Sequence, residues 1–324
     1  MMLSALSPNA RGALLALAAF GVYSTHDVFV KLMGERYSPV QIVFFTVLFS
    51  FPVFTLMMIR RSSSGSLWPR HPWWSLARSA MVVVTGFSAF TAFTLLPLAQ
   101  TYALLFAMPM LITILSVPML GEKVGAARAI AVVVGLIGVL IVLRPGGSSL
   151  SVGHLAGIVA ALSGAAASVI VRKTGGQESA LVLLLYPLLA NLVVMGAVLP
   201  FVYVPMPLAH LATFGAIAVM SLAGMALTIA AYRVAEATVV APMQYSQIVW
   251  ATVYGALIFA EFPDMPTLVG AGIVILSGVF IVWRENASSP PSSQPVLKTR
   301  TRLDTGTAPR VGQMIDAGGA DQRR

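Results

Sequence analysis

The sequence predicts an all-α, polytopic membrane protein with ten transmembrane helices in two inverted five-helix repeats. Three observations predict it. Of 324 residues, 58% are hydrophobic and 10% are charged, against about 25% charged in an ordinary soluble domain. Ten apolar segments are each close to the roughly 20 residues that cross a 30 Å hydrocarbon core. The chain also repeats itself at a spacing of about 140 residues.

The spans are expected at 12–33, 39–59, 73–95, 99–119 and 126–143, then at 154–172, 179–200, 209–231, 237–259 and 266–284. Ser38-Pro39, the RRSSSGSLWPRHP stretch, Leu96-Pro97 and Arg144-Pro145-Gly146-Gly147 punctuate them. Trp68, Trp73, Trp74 and Trp283 fall near predicted ends, where an amphipathic ring prefers the headgroup layer. The first 25 residues share features with a signal peptide, but nine further spans favour a retained first helix.

With the N-terminus inside, the inner segments carry Arg11, Arg60, Arg61, Arg70, Arg78, Lys123, Arg128, Arg172, Lys173 and Arg233. The outer ones carry only Lys31, Arg36 and Arg144, which satisfies the positive-inside tendency. An even number of spans returns the C-terminus to the cytoplasm. The net charge of +9 therefore reads as asymmetry across a bilayer, and no basic domain points to nucleic acid. Residues 285–324 are rich in Ser, Pro and charge and are expected to be a disordered cytoplasmic tail, with KTRTR solvated or against anionic lipid.

The repeat is visible in residues 127–142 (ARAIAVVVGLIGVLIV) and 267–282 (TLVGAGIVILSGVFIV), identical at seven of sixteen positions. Glu122 matches Glu261, and Gly12, Val28, Val30 and Lys31 match Gly153, Val169, Val171 and Arg172 at a constant offset of 141. Five spans per half reverse the second half relative to the first. Inverted repeats characterise secondary transporters, whose solute site lies near the midplane. The small-residue rows Ala127, Ala131, Gly135 and Gly157, Ala161, Ala165 are read as packing.

Asp27, after fourteen uncharged residues, is the only acid well inside a span. Such a charge costs about 2.5–3.5 kcal/mol on insertion scales and usually faces a watery path. A pairing with Lys31 one turn away, or a cap on a helix break, is the structural alternative. Its face continues through Phe20, Tyr23 or Ser24, and Lys31. His26 points about 100° away, so the two need not touch.

In the ninth span, TVVAPMQYSQIVWATVYGALIF, Pro242 opens the helix beside Gln244, Tyr245, Gln247 and Trp250, with Tyr254 on the same face as the amides. Amides suit a polar solute and aromatic rings a flat one; interhelical hydrogen bonding is the plain alternative. Gln100, Thr101 and Tyr102 open the fourth span, which Pro109 breaks. The candidate solute-binding set is thus Tyr23, His26, Asp27, Gln100, Tyr102, Gln244, Tyr245, Gln247 and Trp250. Glu122 and Glu261 are read as caps or partners of a nearby Lys, Arg78 as snorkelling to the inner interface, and Asn191 as packing. No phosphate-binding loop, HExxH, Gly-x-Ser-x-Gly or ligand cluster implies ATP coupling, a metal, a cofactor or catalytic residues. Cysteine is absent.

LPLAQTYALLFAMPMLITILSVPMLGEKVG…GLIGVLIVLRPG resembles the first EamA repeat of the drug/metabolite transporter superfamily, and VAEATVVAPMQYSQIVWATVYGALIFAEFPD the same region of the second. The resemblance covers residues 12–284. It implies a cytoplasmic-membrane protein whose central cavity is lined by spans one, three, four, six, eight and nine, on which Asp27, Gln100, Gln244 and Gln247 fall. The family's frequent arginine early in span two is Thr46 here. The resemblance further implies carriage of a small solute without an enzymatic step; amino acids, S-adenosylmethionine, riboflavin, nucleotide precursors and drugs are family substrates. Aromatics, amides and one carboxylate suit a planar, mostly uncharged solute, so riboflavin uptake is the narrow expectation. S-adenosylmethionine or an amino acid meeting Asp27 through a positive group is the alternative. A coupling proton on Asp27 is a further expectation. An intramembrane enzyme or a partner protein without flux is the reading from another class.

Overall fold

A computed structural model describes residues 7–60, 67–122, 124–144, 150–174 and 177–288. Helices account for the secondary structure of these residues, and no strand occurs among them. The first half contains α1 (Pro8–Gly34), α2 (Pro39–Arg60), α3 (Pro72–Leu95), α4 (Leu98–Leu105), α5 (Met108–Leu120) and α6 (Ala126–Leu143). The second contains α7 (Val152–Thr174), α8 (Ala180–Val202), α9 (Leu208–Val234), α10 (Ala237–Val240), α11 (Ser246–Phe259) and α12 (Met265–Ser288). With α4–α5 as one broken span and α10–α11 as another, these are the ten expected spans. α12 runs to Ser288, past residue 285 where the tail is expected to start; residues 289–324 lie outside the described residues, as do Arg61, Lys123, Pro145, Gly146 and Gly147.

Both breaks have a proline at the restart. Proline has no N–H to give to a preceding turn, so it is accommodated where a helix begins. Pro109 is in the first turn of α5, and the chain bends at Phe106 and Ala107, where Ala107 N–H bonds to Leu104 O at 3.1 Å. Pro242 opens a tighter 3-10 turn, Ala241–Tyr245, between α10 and α11.

The two halves interlock by exchange. α1 packs along α9, α3 along α7, and α6 along α12. Small residues permit these contacts: a Cβ on Gly12 would fall 2.1 Å from Ala235 Cβ, and one on Gly153 2.8 Å from Leu96 Cγ. Gly138 and Gly270 face each other across α6 and α12, where a Cβ on either would fall within 3 Å of the other's carbonyl oxygen. The predicted packing row in α6 follows suit, with Gly135 against Met110 and Ser277. Ser277 Oγ also donates to the Ala131 carbonyl.

Arg78 departs from its expected interfacial position. It is 2% exposed and donates from Nη1 to Leu183 O at 2.5 Å. Pro187, four residues on, has no N–H to offer that carbonyl. The guanidinium supplies the missing donor and ties α3 to α8. Asn191 completes the same region, donating to Pro187 O at 3.2 Å.

Candidate functional site

Asp27 sits on α1 about two turns from its end, facing α4 and α11. Its Oδ1 is 2.7 Å from His26 Nδ1, and its Oδ2 accepts a hydrogen bond from the Tyr102 hydroxyl. Gln247 Nε2 donates to that hydroxyl at 3.3 Å, joining the second repeat to the first. Ser24 Oγ lies 3.5 Å from it. Asp27 is 1% exposed. Hydrogen bonds to a charged group contribute about 1.5–3 kcal/mol each, so two offset the cost of a carboxyl group at this depth.

Three expectations change here. His26 does touch Asp27, its Nδ1 reaching Oδ1 at 2.7 Å although neighbouring Cβ vectors on a helix diverge. Asp27 is not paired with Lys31, which bonds instead to Glu261 Oε1 at 2.7 Å and to Leu96 O at 2.6 Å. In the conformation described, Asp27 is enclosed by side chains and does not face a water-filled path.

An aromatic row continues from this centre. Tyr102 meets Phe93 edge-on at 5.3 Å and Phe106 at 5.9 Å, and Phe106 meets Tyr245 at 5.0 Å. All four rings are buried. The Tyr245 hydroxyl lies against Gly278, where a Cβ would be 1.9 Å away. Trp250 stacks on Tyr254 at 6.0 Å and borders Gly21, and Tyr254 OH is 3.0 Å from Thr25 Oγ1. Gln244 is buried in the 3-10 turn. Tyr23 packs on Phe20 and on Gly224, where a Cβ would be 2.8 Å from the ring.

The structure therefore brings His26, Asp27, Tyr102 and Gln247 together, with Tyr245 beyond Phe106. Gln100 stands apart. Two residues from Tyr102, it faces the other way, and its amide lies 2.9 Å from His154 Nε2. His154 is held from its other side by Ser151, whose N–H donates to Nδ1 at 3.1 Å and whose hydroxyl lies 2.8 Å from the same atom.

Phe93 and Phe106 were missed by sequence reasoning; Phe106 was findable, four residues from Tyr102 on one helical face. Lys31 was read as an outer-segment charge, yet it is 8% exposed and 5.1 Å from the Phe259 ring centre. Its counterpart Arg172 bonds to Glu122. Thus the two glutamates make crossed pairs between repeats; Glu261 has a lysine, as the partner reading expected, whereas Glu122 has an arginine. A third ion pair, Arg144–Asp264, lies outside the helices' apolar stretches. The hydrogen bond from Arg144, aided by Thr267, holds the Asp264 carboxyl at about 2, below the ordinary aspartate range.

Interlocked inverted repeats with two broken helices meeting at a buried carboxylate are the architecture of repeat-built membrane transporters. The chain belongs to the EamA-like transporter family, whose profile matches residues 10–144 and again 151–283. It is 27% identical to an S-adenosylmethionine uptake transporter of Rickettsia prowazekii (strain Madrid E), over 89% of this chain and 97% of that one. It is 28% identical to the pseudopaline exporter CntI of Pseudomonas aeruginosa (strain UCBPP-PA14), over 82% and 94%. A riboflavin transporter of Vibrio cholerae serotype O1 is 33% identical over 60% of this chain and 65% of its own. A solved crystal structure shares the fold with a TM-score of 0.56 at 14% identity, covering 86% of this chain and 98% of that one.

Proposed function

We propose that this protein is a secondary transporter that moves a small organic metabolite across the cytoplasmic membrane by alternating access, with the Asp27 group in its solute site. The observation that carries this reading is the carboxylate of α1, hydrogen-bonded to Tyr102 of α4 and through it to Gln247 of α11. A solute there joins a hydrogen-bonded centre that both repeats share, which is what couples binding to a change of shape. The neighbouring aromatic row suits a planar ring and Asp27 a positive group. A solute bearing both is the best match, and the likeness to an S-adenosylmethionine uptake transporter over nearly its full length supports that class. Riboflavin uptake is the second reading, favoured by the Gln247 amide on the Tyr102 hydroxyl and by a second buried amide, Gln244, in the turn that carries Tyr245.

Uptake of radiolabelled S-adenosylmethionine and of riboflavin by cells expressing the chain tests both. S-adenosylmethionine uptake above the empty vector, lost in Asp27→Asn, supports the first. Riboflavin uptake that survives Asp27→Asn supports the second. Neither solute moving, in uptake or in counterflow, refutes both assignments.

Asp27 is also the proposed site of a coupling proton, with His26 and Tyr102 beside it. If it is, Asp27→Asn abolishes accumulation while downhill counterflow continues; equal loss of both rejects the role. The proposed arrangement has repeats at 12–143 and 154–284, with both termini cytoplasmic, and the surplus of Lys and Arg at one set of span ends supports it. The natural lack of cysteine lets single introduced cysteines report sidedness without background.

A further inference from the structure

Lys31 follows Asp27 by one helical turn, the spacing at which helical side chains meet. Its ammonium touches Glu261 at 2.7 Å and Leu96 O at 2.6 Å. The side chain of Lys31 is 10% exposed, whereas that of Glu261 is 26% exposed. The cation is thus fixed inside, and the anion sits nearer the edge.

The second repeat provides an internal comparison. Arg172 and Glu122 form the equivalent pair, 31% and 28% exposed. One turn inside Arg172, where the first repeat has Asp27, stands Ser168, whose hydroxyl bonds to Gly164 O at 2.7 Å. A pair that only latched the repeats would need no neighbouring carboxylate, as the Arg172 end demonstrates. The Lys31 end alone places a buried cation one helical turn from a buried carboxylate, the complement of a zwitterion.

We infer that Lys31 binds the carboxylate of a zwitterionic solute whose positive group meets Asp27, the solute's carboxylate taking the place of Glu261. This rests on the reading of Asp27 as part of the solute site and adds to it a second charge and a trigger. Exchanging one carboxylate for another leaves the Lys31 ammonium paired, and Glu261 is near enough to the edge to be rehydrated. Breaking the pair without replacement strands a buried cation, which is strongly unfavourable. The Lys31–Glu261 pair is therefore a gate that only a solute carrying a carboxylate releases.

The test is equilibrium binding to the purified full-length chain, with S-adenosylmethionine and its decarboxylated form as probes; both keep the ring and the positive sulfur. Wild type is expected to bind the carboxylated probe about tenfold tighter, the order of effect of one well-placed charge pair. Lys31→Met with Glu261→Gln removes both charges together, and this protein is expected to bind the two probes within about twofold of each other. Lys31→Arg, which keeps the charge, and Arg172→Met with Glu122→Gln, at the other end, are expected to keep the preference. Equal binding of the probes by wild type, or a preference retained in the Lys31→Met/Glu261→Gln protein, overturns the inference while leaving Asp27 in the site. If wild type binds neither probe, the assignment of the Asp27 site to such a solute falls, and the role of Lys31 with it.

Discussion

The amide of Gln247 reaches the hydroxyl of Tyr102 at 3.3 Å, so a residue of the second repeat touches the carboxylate of the first through a single oxygen. Tyr102→Phe removes that oxygen and leaves the ring between Phe93 and Phe106. Expected is a loss of about 1.5–3 kcal/mol in solute binding, roughly 10- to 150-fold in Kd, with helix content by circular dichroism unchanged. Gln247→Ala is expected to lose less, because it acts on Asp27 only through Tyr102. Equal losses would place Gln247 in direct contact with the solute.

The crossed ion pairs differ in depth, and their loss should differ accordingly. Glu261→Gln leaves Lys31, whose side chain is 10% exposed, without its counter-charge. Orphaning a buried charge costs about 3–5 kcal/mol, and partial exposure places this case toward the lower end. Glu122→Gln leaves Arg172, 31% exposed, and belongs with surface pairs at up to about 1 kcal/mol. Thermal unfolding in detergent is expected to show the larger drop for Glu261→Gln. The reverse order would mean that Lys31 finds other ligands on release.

The spans were legible because membrane thickness and helical rise leave few ways to place ten apolar runs. The breaks at Pro109 and Pro242 were legible for a similarly local reason, a missing N–H. Asp27 stood out because a charge in lipid demands an explanation. Its partners did not stand out. Tyr102 reaches Asp27 from another helix 75 residues along the chain, and Gln247 through the pairing of two repeats; no periodicity along one helix encodes either. Arg78 was misplaced for the same reason. Hydropathy treats an arginine near a span end as snorkelling, whereas the carbonyl that holds it belongs to Leu183, freed by Pro187 on another helix. Lys31 followed suit, since its acceptor Leu96 and its counter-ion Glu261 lie far along the chain.

Gly270 and Gly272 are two residues apart on α12 and are expected to respond to alanine with opposite signs. A Cβ on Gly270 would fall 2.6 Å from the Gly138 carbonyl oxygen and 3.1 Å from Val142 N, both backbone atoms. The helices must separate, at about 1–3 kcal/mol for overpacking. A Cβ on Gly272 meets nothing within 4 Å, so alanine there is expected to stabilise by the helix-propensity difference, about 0.5–1 kcal/mol. Unfolding midpoints of the two variants provide the check. A neutral Gly270→Ala would show that α6 and α12 slide past each other freely.

Asp264 gives the fold an acid limit that can be isolated. Its carboxyl is held at about 2, chiefly by the hydrogen bond from Arg144, against an ordinary value of 3.8. A depressed folded-state value means that the unfolded chain takes up the proton first as pH falls. The stabilisation from this group is therefore complete above about pH 4 and disappears as pH drops toward 2. Arg144→Gln removes the main cause, while the Thr267 N–H, 3.1 Å from Asp264 Oδ1, keeps a smaller share. The variant is expected to be less stable than wild type at neutral pH and to converge with it near pH 2. Because other carboxylates titrate in the same window, the measurement is the gap between the two proteins' unfolding midpoints across pH. A gap that stays constant from neutral pH to pH 2 would show that Arg144 supports the α6–α12 contact without acting through the charge of Asp264.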